Sequence, residues 1–240
     1  MVFFSRGRKQ AARPSVTAVI AAGGTSSRMG GEDKLFLLLR GIPVLAHTLL
    51  AFERADSVDS IVVVTRPESI VLVQDIYREF EISKLRSVIA GGATRAHSVM
   101  AGVLEAGDAA YVAVHDGARP LIPDAVIRRA VEAGIASGAV VPAVPVRDTI
   151  KVVEEGFVRQ TPKREKLFAA QTPQVFQTGL LKGALTRVIE GNLAVTDDAA
   201  AVESMGMSVQ IVEGDARNIK ITAPEDILLA EALLYEEEDV

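Results

Sequence analysis

Two cations, Arg28 and Lys34, stand in a glycine-rich segment that follows the first apolar, β-branched run of the chain. Residues 16–21 predict a strand, and ligands of open α/β sheets bind at the carboxyl ends of strands. Glycines without side chains let backbone N–H groups approach phosphate oxygens closely. We therefore predict a nucleotide triphosphate site in this segment. Its residues are Ala21, Ala22, Gly23, Gly24, Arg28 and Lys34.

The segment matches neither of two common phosphate-binding motifs. The chain contains no Gly-x-x-x-x-Gly-Lys-Ser/Thr, and no Gly-x-Gly-x-x-Gly opens a helix at this point. These absences argue against a P-loop and against a dinucleotide site. Taken alone, the segment is also compatible with an ordinary glycine-rich turn that carries solvent-facing cations.

A second polar turn, with Asp116 and Arg119, follows the apolar run of residues 110–115. A carboxylate at a strand end can accept a hydrogen bond from a ribose hydroxyl, orient an acceptor or help to hold Mg²⁺. Arg119 can neutralise a phosphate, and an Asp–Arg pair that only fixes the turn is the alternative. We interpret His115 as a packed structural histidine, because no Ser–His–Asp order accompanies it.

Gly91 and Gly92 form a third turn, which leads into a helix predicted from residue 94. Thr94 can cap this helix, and Ser98 lies one turn further along it. The hydroxyl of Ser98 and the backbone of the turn could read the edge of a nucleobase. A simple helix cap is the alternative interpretation.

Hydroxyl groups and cations recur in the second half of the chain, in a pattern suited to binding a second phosphate. Each of them alone also fits a cap, a turn or a solvated face, and Thr196 is a candidate cap for a helix beginning at Asp197. The residues are Thr149, Arg164, Thr172, Thr196 and Lys220.

Composition limits the function classes. The 240 residues are 49% hydrophobic with a net charge of −5, which gives no support to nucleic-acid binding. Cysteine is absent, so no disulfide framework or thiolate nucleophile exists, in agreement with a cytoplasmic location. No apolar run reaches the ~18 residues of a membrane span. Residues 1–14 are basic and lack a signal-peptide core, which predicts a disordered tail.

Short β-rich runs alternate with helical patterns from residue 15 to residue 240, which predicts one α/β domain with a mainly parallel sheet flanked by helices. The predicted strands are residues 16–21, 60–65, 87–90, 110–115, 139–143 and 208–212. The predicted helices are residues 43–54, 67–80, 94–106, 123–133, 178–189, 197–205 and 224–236.

The alternation breaks between Pro142 and Thr172, where prolines and charges are frequent. Within this stretch, residues 149–153 and 156–159 predict a hairpin. A long insertion in a compact domain is usually functional or an interaction element. We therefore predict an arm over residues 145–172 that projects from the sheet and meets a partner subunit, with a surface loop as the alternative.

In this order, the segments resemble the 2-C-methyl-D-erythritol 4-phosphate cytidylyltransferases of the non-mevalonate isoprenoid pathway over residues 15–235. The resemblance rests on Ala-Ala-Gly-Gly…Arg-Met-Gly…Lys, Gly-Gly-x-x-Arg-x-x-Ser-Val, Val-His-Asp-Gly-Ala-Arg-Pro, Val-Arg-Asp-Thr-Ile-Lys, Gln-Thr-Pro-Gln and Asn-Ile-Lys-Ile-Thr. It implies a Rossmann-like nucleotidyltransferase fold whose protruding β-arm builds a homodimer. It also implies transfer of CMP from CTP to 2-C-methyl-D-erythritol 4-phosphate, with release of pyrophosphate. For this reaction we expect Mg²⁺ or another divalent cation as cofactor, which would make pyrophosphate a better leaving group.

The resemblance implies a role for each matching residue. Arg28 and Lys34 would stabilise charge on the α-phosphate of CTP. The residues around CTP would be Ala21, Ala22, Gly23, Gly24, Gly91 and Ser98, with Asp116 and Arg119 between nucleotide and acceptor. Those at the acceptor phosphate would be Arg164 and Lys220, helped by Thr149, Thr172 and Thr196. The family dimer implies that the partner's site is reached by Thr149, Arg164, Thr172 and Thr196.

One departure and several alternatives remain at this point. Many family members read Pro-Lys-Gln at the lysine, whereas this chain has Asp33-Lys34-Leu35, which leaves the local loop geometry open. Relatives that load ribitol 5-phosphate share much of the pattern, so a ribitol-5-phosphate cytidylyltransferase is one alternative. A non-catalytic nucleotide-binding module is another. A nucleotide-sugar glycosyltransferase usually needs an Asp-x-Asp motif, which the chain lacks.

Overall fold

The computed structural model describes residues 13–24 and 33–238, with side chains as far as Leu234. Arg28 and most of the predicted basic tail lie outside these residues. Within the described ranges the strands are β1 Val16–Ala22, β2 Leu38–Leu39, β3 Ile42–Pro43, β4 Ser60–Thr65, β5 Leu85–Ala90, β6 Tyr111–Asp116, β7 Ala139–Pro145, β8 Val152–Glu154, β9 Phe157–Gln160, β10 Phe168–Ala170, β11 Gln174–Gln177 and β12 Gln210–Glu213. The helices are α1 Val44–Arg54, α2 Ile70–Glu79, α3 Arg95–Glu105, α4 Asp124–Ser137, α5 Thr178–Glu190, α6 Asp198–Glu203 and α7 Pro224–Glu238.

The central sheet is parallel in one half and mixed in the other. β1 pairs in parallel with both β4 and β6, and β4 pairs in parallel with β5. β11 lies antiparallel between β6 and β7, β10 continues along the same side of β7, and β12 pairs in parallel with the other side of β7. The predicted α/β fold is confirmed. The predicted order of elements lacked β10 and β11, the two strands that run against the rest.

Two apolar cores cover the two faces of the sheet. Because side chains alternate along a strand, Ala18 and Ile20 of β1 face the core built with α1, α2 and α4. Val19 faces the other core with Val62 and Val64, under α3, α5 and α6. Strands buried on both faces read as continuous apolar runs, which is why the sequence predicted them. No helix in the described ranges is long and apolar enough to cross a membrane.

Gly102 lets α3 lie close against the sheet. A Cβ at this position would stand 2.3 Å from Val19 Cγ1 and 2.9 Å from Val64 Cγ2, which real side chains do not allow. Without a side chain there, the amino-terminal turn of α3 is held beside the ends of β1 and β4. This close packing brings Thr94 and Ser98 to the predicted site.

The predicted hairpin is confirmed as β8 and β9, which pair with each other and with no other described strand. Glu155 and Gly156 connect them with φ values of +52° and +82°, and two consecutive positive φ values are typical of a tight hairpin turn. From residue 147 to residue 170 every residue is exposed except Pro162 and Leu167, which are half-buried. Residues 147–166 therefore stand away from the sheet as an arm, whereas the end of the predicted arm returns to the sheet as β10, which pairs with β7.

Candidate active site

The carboxyl ends of β1, β4 and β6 and the start of α3 enclose a cleft of about 330 Å³. It lies at the edge of the sheet where ligands of open α/β folds bind. The predicted site residues that line it are Ala21, Ala22, Gly23, Gly24, Lys34, Ser98, Asp116 and Lys220. Residues from four separate segments of the sequence thus meet in one cleft.

The turn between β5 and α3 is compact because it contains two glycines. A Cβ on Gly91 would stand 2.7 Å from Ser98 Oγ, and one on Gly92 would stand 2.4 Å from the Cβ of His97. The N–H of Gly92 donates to Ser98 Oγ at 3.1 Å. Gly92 lines the cleft, whereas the predicted Gly91 lies one residue behind it. Ser98 thus holds the turn together as well as lining the cleft.

Thr94 caps α3, as predicted from the sequence. Its Oγ1 accepts a hydrogen bond from the backbone N–H of His97 at 3.3 Å. The hydroxyl of Ser98 donates to the carbonyl of Thr94 at 3.0 Å. A fixed helix start directs its backbone N–H groups and the positive end of its dipole towards the cleft.

Asp116 ends β6, and its carboxylate lies between two cations. Lys220 Nζ is 3.0 Å from Asp116 Oδ2, and Arg119 Nε donates to the same oxygen at 3.3 Å. Burial alone would raise the pKa of Asp116, but Lys220, Arg119 and Arg95 outweigh burial and lower the pKa to about 2. Asp116 is therefore ionised at neutral pH, and two cations face one carboxylate at this corner.

Arg119 supports this corner from beneath. Its side chain is only 12% exposed and does not line the cleft. Its Nη1 donates to the carbonyl of Asn218 at 2.7 Å, two residues before Lys220. The guanidinium thus supports the corner by bonding to Asp116 and to the segment that carries Lys220, and the predicted position of Arg119 between nucleotide and acceptor stays a prediction.

His115 and Thr172 form a buried chain of hydrogen bonds behind Asp116. The N–H of Asp116 donates to Thr172 Oγ1 at 3.1 Å, and Thr172 Oγ1 lies 3.0 Å from His115 Nδ1. His115 Nε2 lies 3.3 Å from the carbonyl of Arg119. Burial lowers the pKa of His115 to about 3, so the ring is neutral and has one N–H.

The carbonyl at Arg119 fixes the direction of this chain. A carbonyl oxygen only accepts, so Nε2 of His115 carries the proton and Nδ1 is the acceptor. The hydroxyl of Thr172 then donates to Nδ1 while its oxygen accepts from Asp116. The prediction of a packed structural histidine is confirmed, because His115 holds the turn and is fully buried.

Thr172 lies outside the lining of the cleft, and its predicted contact with the acceptor stays a prediction. The sequence and the resemblance predicted an acceptor-binding residue that reaches the partner's site. In the structure Thr172 is 5% exposed, and its hydroxyl bonds to Asp116 and His115 of its own chain. The side chain is therefore committed to the turn behind its own cleft.

The other predicted acceptor residues lie in different places. Thr149 and Arg164 are exposed on the arm, outside the lining of this cleft, and Arg164 Nη1 donates to the carbonyl of Arg147 at 3.0 Å. Thr196 is exposed and precedes α6. The cap of α6 is Asp197, whose side chain accepts from the N–H of Ala200, so the predicted cap at Thr196 is wrong by one residue.

An ion pair between Arg95 and Asp198 joins α3 to α6 and was missed from the sequence. Both guanidinium nitrogens of Arg95 bond to Asp198, at 2.8 and 2.6 Å. Burial would lower the pKa of Arg95, but Asp198 outweighs burial and raises it. Arg95 lines the cleft and also a neighbouring cavity of about 250 Å³. Thr196, two residues before Asp198, is in the lining of neither cavity.

Lys34 lies in a turn that the core anchors. Leu35 replaces the amide of the family pattern, and its side chain is 3% exposed within the core beside α1. Its carbonyl accepts from the N–H of Leu45 at 2.9 Å. The departure in the sequence therefore converts a polar position into a buried anchor, and Lys34 still lines the cleft.

The residues that line the cleft offer few ligands for a metal ion, so they fit a metal only if the substrate supplies most of its ligands. Among the described lining residues, Asp116 is the one carboxylate, and it is paired with Lys220. The described ranges contain no group of three or more His, Cys, Asp or Glu residues that could hold a metal ion. Mg²⁺ commonly keeps waters and binds substrate phosphates through one or two carboxylates, and one carboxylate is what this cleft offers.

Comparison with known proteins identifies the family of the chain. The family model for IspD, 2-C-methyl-D-erythritol 4-phosphate cytidylyltransferase, matches residues 16–236. The protein of that name from Geotalea uraniireducens is 47% identical over 225 residues, which are 91% of this chain and 96% of the relative.

Solved structures match at the level of the fold. The 4-diphosphocytidyl-2C-methyl-D-erythritol synthase of Anaerococcus prevotii has a TM-score of 0.84 at 29% identity, over 92% of this chain and 96% of its own. The 2-C-methyl-D-erythritol 4-phosphate cytidylyltransferase of Thermus thermophilus has a TM-score of 0.75 at 36% identity, over 92% of this chain and 99% of its own. The chain belongs to the IspD family of cytidylyltransferases, which are enzymes with a Rossmann-like nucleotidyltransferase fold.

Proposed function

We propose that this chain transfers the cytidylyl group of CTP to the phosphate of 2-C-methyl-D-erythritol 4-phosphate in isoprenoid precursor biosynthesis. The products are 4-diphosphocytidyl-2-C-methyl-D-erythritol and pyrophosphate. One observation carries the proposal: Lys34, Lys220 and Asp116 line one cleft at the carboxyl edge of the sheet of a chain that the family model matches over residues 16–236. A cytoplasmic location goes with this proposal.

The reaction is a direct displacement at phosphorus. An oxygen of the acceptor phosphate forms a bond to the α-phosphorus of CTP, and the bond from that phosphorus to the bridging oxygen of pyrophosphate breaks. Both reactants are anions, so the enzyme must neutralise and align them. No covalent enzyme intermediate is required, in agreement with a chain that has no cysteine.

Lys34 and Arg28 are the proposed groups that stabilise charge on the α-phosphate. Lys34 lines the cleft next to the glycines of β1, and Arg28 comes from the sequence and the resemblance alone. A unit charge pair ~4 Å apart at an effective dielectric of about 20 is worth ~4 kcal/mol. Loss of such a contact in the transition state would slow the reaction ~10³-fold.

Lys220 is the proposed contact to the acceptor phosphate from the chain's own cleft. The side chain of Lys220 is 42% exposed while its amine bonds to Asp116, whose side chain is 13% exposed. The carboxylate holds the amine in place and leaves part of it open to a ligand. Because Arg119 also bonds to Asp116, the corner keeps an excess of positive charge that suits a phosphate monoester.

Mg²⁺ is the proposed cofactor, held mainly by the triphosphate oxygens with Asp116 nearby. When bound, it would neutralise charge on the triphosphate and make pyrophosphate a better leaving group. The protein's own contribution is the fixed position of Asp116 and the surrounding cations.

A homodimer with shared sites is the proposed assembly. The arm exposes apolar side chains that a lone chain leaves in water, among them Val153, Phe157 and Val158, which are 54%, 71% and 58% exposed. Large exposed apolar patches mark interaction sites. Thr149 and Arg164 lie on the same arm and outside their own cleft, so we propose that they complete the acceptor site of the partner.

Release of pyrophosphate tests the proposed function. CTP with 2-C-methyl-D-erythritol 4-phosphate should give pyrophosphate, and ribitol 5-phosphate in its place, or UTP, ATP or GTP in place of CTP, should give much less. Lys34→Ala should be almost inactive, whereas Lys182→Ala, which removes an exposed lysine of α5, should match the wild type. Faster turnover with ribitol 5-phosphate would reassign the acceptor, and no turnover with any acceptor would indicate a binding module.

A further inference from the structure

Asp33, the residue before Lys34, connects the Lys34 turn to the end of β4. Its two carboxylate oxygens have different partners: Oδ1 accepts from the N–H of Leu35 at 3.2 Å, and Oδ2 is paired with Nη2 of Arg66. Arg66 is the first residue after β4. One carboxylate therefore joins the turn that holds Lys34 to a strand end beside the cleft.

Arg66 is itself held in place. Its Nη2 also bonds to Ser69 Oγ at 3.4 Å, and its Nε makes an ion pair with Glu68 Oε1 at 3.6 Å without a hydrogen bond. Arg66 and Asp33 are 29% and 16% exposed, so water screens this pair less than it screens an ordinary surface pair. The guanidinium is thus a fixed anchor for Asp33.

The strand end that carries Arg66 also holds the nucleotide turns. Thr65 Oγ1 donates to the carbonyl of Ala22 at 3.1 Å, and the N–H of Gly91 donates to the carbonyl of Thr65 at 2.8 Å. The Asp33–Arg66 pair therefore ties Lys34 to the same frame as the glycine turns around the cleft.

We propose that Arg66 is a positioning residue for Lys34 that acts through Asp33. The inference rests on the proposed function, in which Lys34 stabilises charge on the α-phosphate. Arg66 fixes the Lys34 turn, and its charge offsets a carboxylate that is adjacent in sequence to the catalytic lysine. Without the guanidinium, that carboxylate would repel the triphosphate and compete for the lysine.

Turnover of an Arg66→Gln variant tests the first half of the inference. We expect kcat to fall about tenfold, and KM for CTP to change less than about twofold, because Lys34 acts mainly in the transition state. Arg78→Gln is the matched control, since Arg78 pairs with Asp75 at 3.1 Å on the exposed face of α2. This control should leave kcat unchanged.

A second substitution tests whether Arg66 offsets the charge of Asp33, which general damage to the fold would not reproduce. Asp33→Asn keeps an oxygen that can accept from Leu35 N–H and removes the negative charge. Combined with Arg66→Gln, it should raise kcat above that of Arg66→Gln alone, because the uncompensated carboxylate is gone. A double variant no faster than Arg66→Gln, or an Arg66→Gln variant with wild-type kcat, would overturn the inference.

Two further variants keep the test decisive. If Arg66→Gln does not fold, Arg66→Lys replaces it, because the shorter lysine side chain weakens the contact with Asp33. Adding Asp33→Asn to Arg66→Lys must then raise kcat above that of Arg66→Lys alone. Lys34→Ala in the wild-type background separates the two proposals. If Lys34→Ala is inactive while Arg66→Gln turns over normally, only the role of Arg66 is lost. If Lys34→Ala turns over normally, the proposed role of Lys34 fails and the inference with it. If the wild type releases no pyrophosphate from CTP with any acceptor, the proposed function itself fails.

Discussion

Replacing Thr172 by valine removes one hydroxyl and almost nothing of the side chain's shape. In the structure that hydroxyl accepts from the N–H of Asp116 at 3.1 Å and bonds to Nδ1 of His115 at 3.0 Å. His115 is fully buried and the bond from Asp116 is partly buried, so the substitution leaves one donor and one acceptor unpaired with little access to water. At roughly 1–3 kcal/mol for each unpaired group, we expect the free energy of unfolding to fall by about 3 kcal/mol.

Thr172→Ser is the matched control. It keeps the hydroxyl and loses one methyl group, which should cost about 1 kcal/mol. Urea unfolding followed by circular dichroism suits the assay, since the chain has no tryptophan. The expected order of stability is wild type, then serine, then valine, and kcat should follow the same order because the chain of bonds fixes the turn that carries Asp116.

The same pair of variants decides between two roles for Thr172. If the residue bound the acceptor, as the resemblance implied, valine would raise KM for the acceptor and leave the free energy of unfolding close to that of the serine variant. A valine variant as stable as Thr172→Ser would refute the hydrogen-bond argument.

Four further outcomes follow from the same geometry. The pKa values of about 2 for Asp116 and about 3 for His115 lie below the assay range, so Asp116 stays ionised and His115 neutral. The fall of kcat/KM at acid pH should therefore follow protonation of the acceptor phosphate near pH ~6. A fall at a pH different from the acceptor's own pKa would contradict this. Lys220→Ala should lower kcat/KM for the acceptor by ~10²-fold or more, and Lys220→Arg should recover part of this loss. Equal activity of the wild type and both variants would show that Lys220 does not bind the acceptor. Phe157→Glu should sediment as a monomer with reduced activity, whereas Val71→Glu on α2 should behave as wild type. Chelation of divalent cations should abolish turnover until Mg²⁺ is restored. In the absence of CTP, chelation should change the melting temperature of the protein by less than ~1 °C, because few protein carboxylates are available to bind the ion. A larger change would indicate a metal site in the protein itself.

The central sheet and its cleft could be predicted because their signals are local. β1, β4 and β6 are continuous apolar runs, and each is followed by the polar residues that its carboxyl end presents. The cap at Thr94 depends on residues three positions apart, so it was also predictable. A parallel sheet brings such strand ends to one edge, and the clustering of Lys34 and Asp116 follows from that geometry.

The antiparallel strands could not be predicted in the same way. β10 has three residues and β11 has four, too few to show a period of two, and Pro173 lies between them. They form because β7 offers them a partner whose place in the fold is set far away in sequence. Strand pairing of this kind depends on tertiary context more than on local propensity.

Long-range bonds decide the roles of several site residues. Arg95 and Asp198 are 103 positions apart, and Thr172 and His115 are 57 apart. Nothing in one sequence indicates which hydroxyl will be buried behind a turn and which will face a ligand. The predicted cap of α6 was wrong for a more local reason. Thr196 and Asp197 are both good capping residues, and sequence patterns do not fix the first residue of a helix to within one position.

The charges of the cleft explain how it can exist without substrate. Lys220 and Arg119 share Asp116, and Arg95 is paired with Asp198. These carboxylates hold the cations at fixed positions and offset the repulsion between them. Because two cations share Asp116, the corner retains positive charge that an incoming phosphate can use. A site ordered in this way spends little free energy on reorganisation when the anions arrive. The same reasoning explains why substitution of Asp116 should harm both stability and turnover, although a carboxylate would itself repel the substrates.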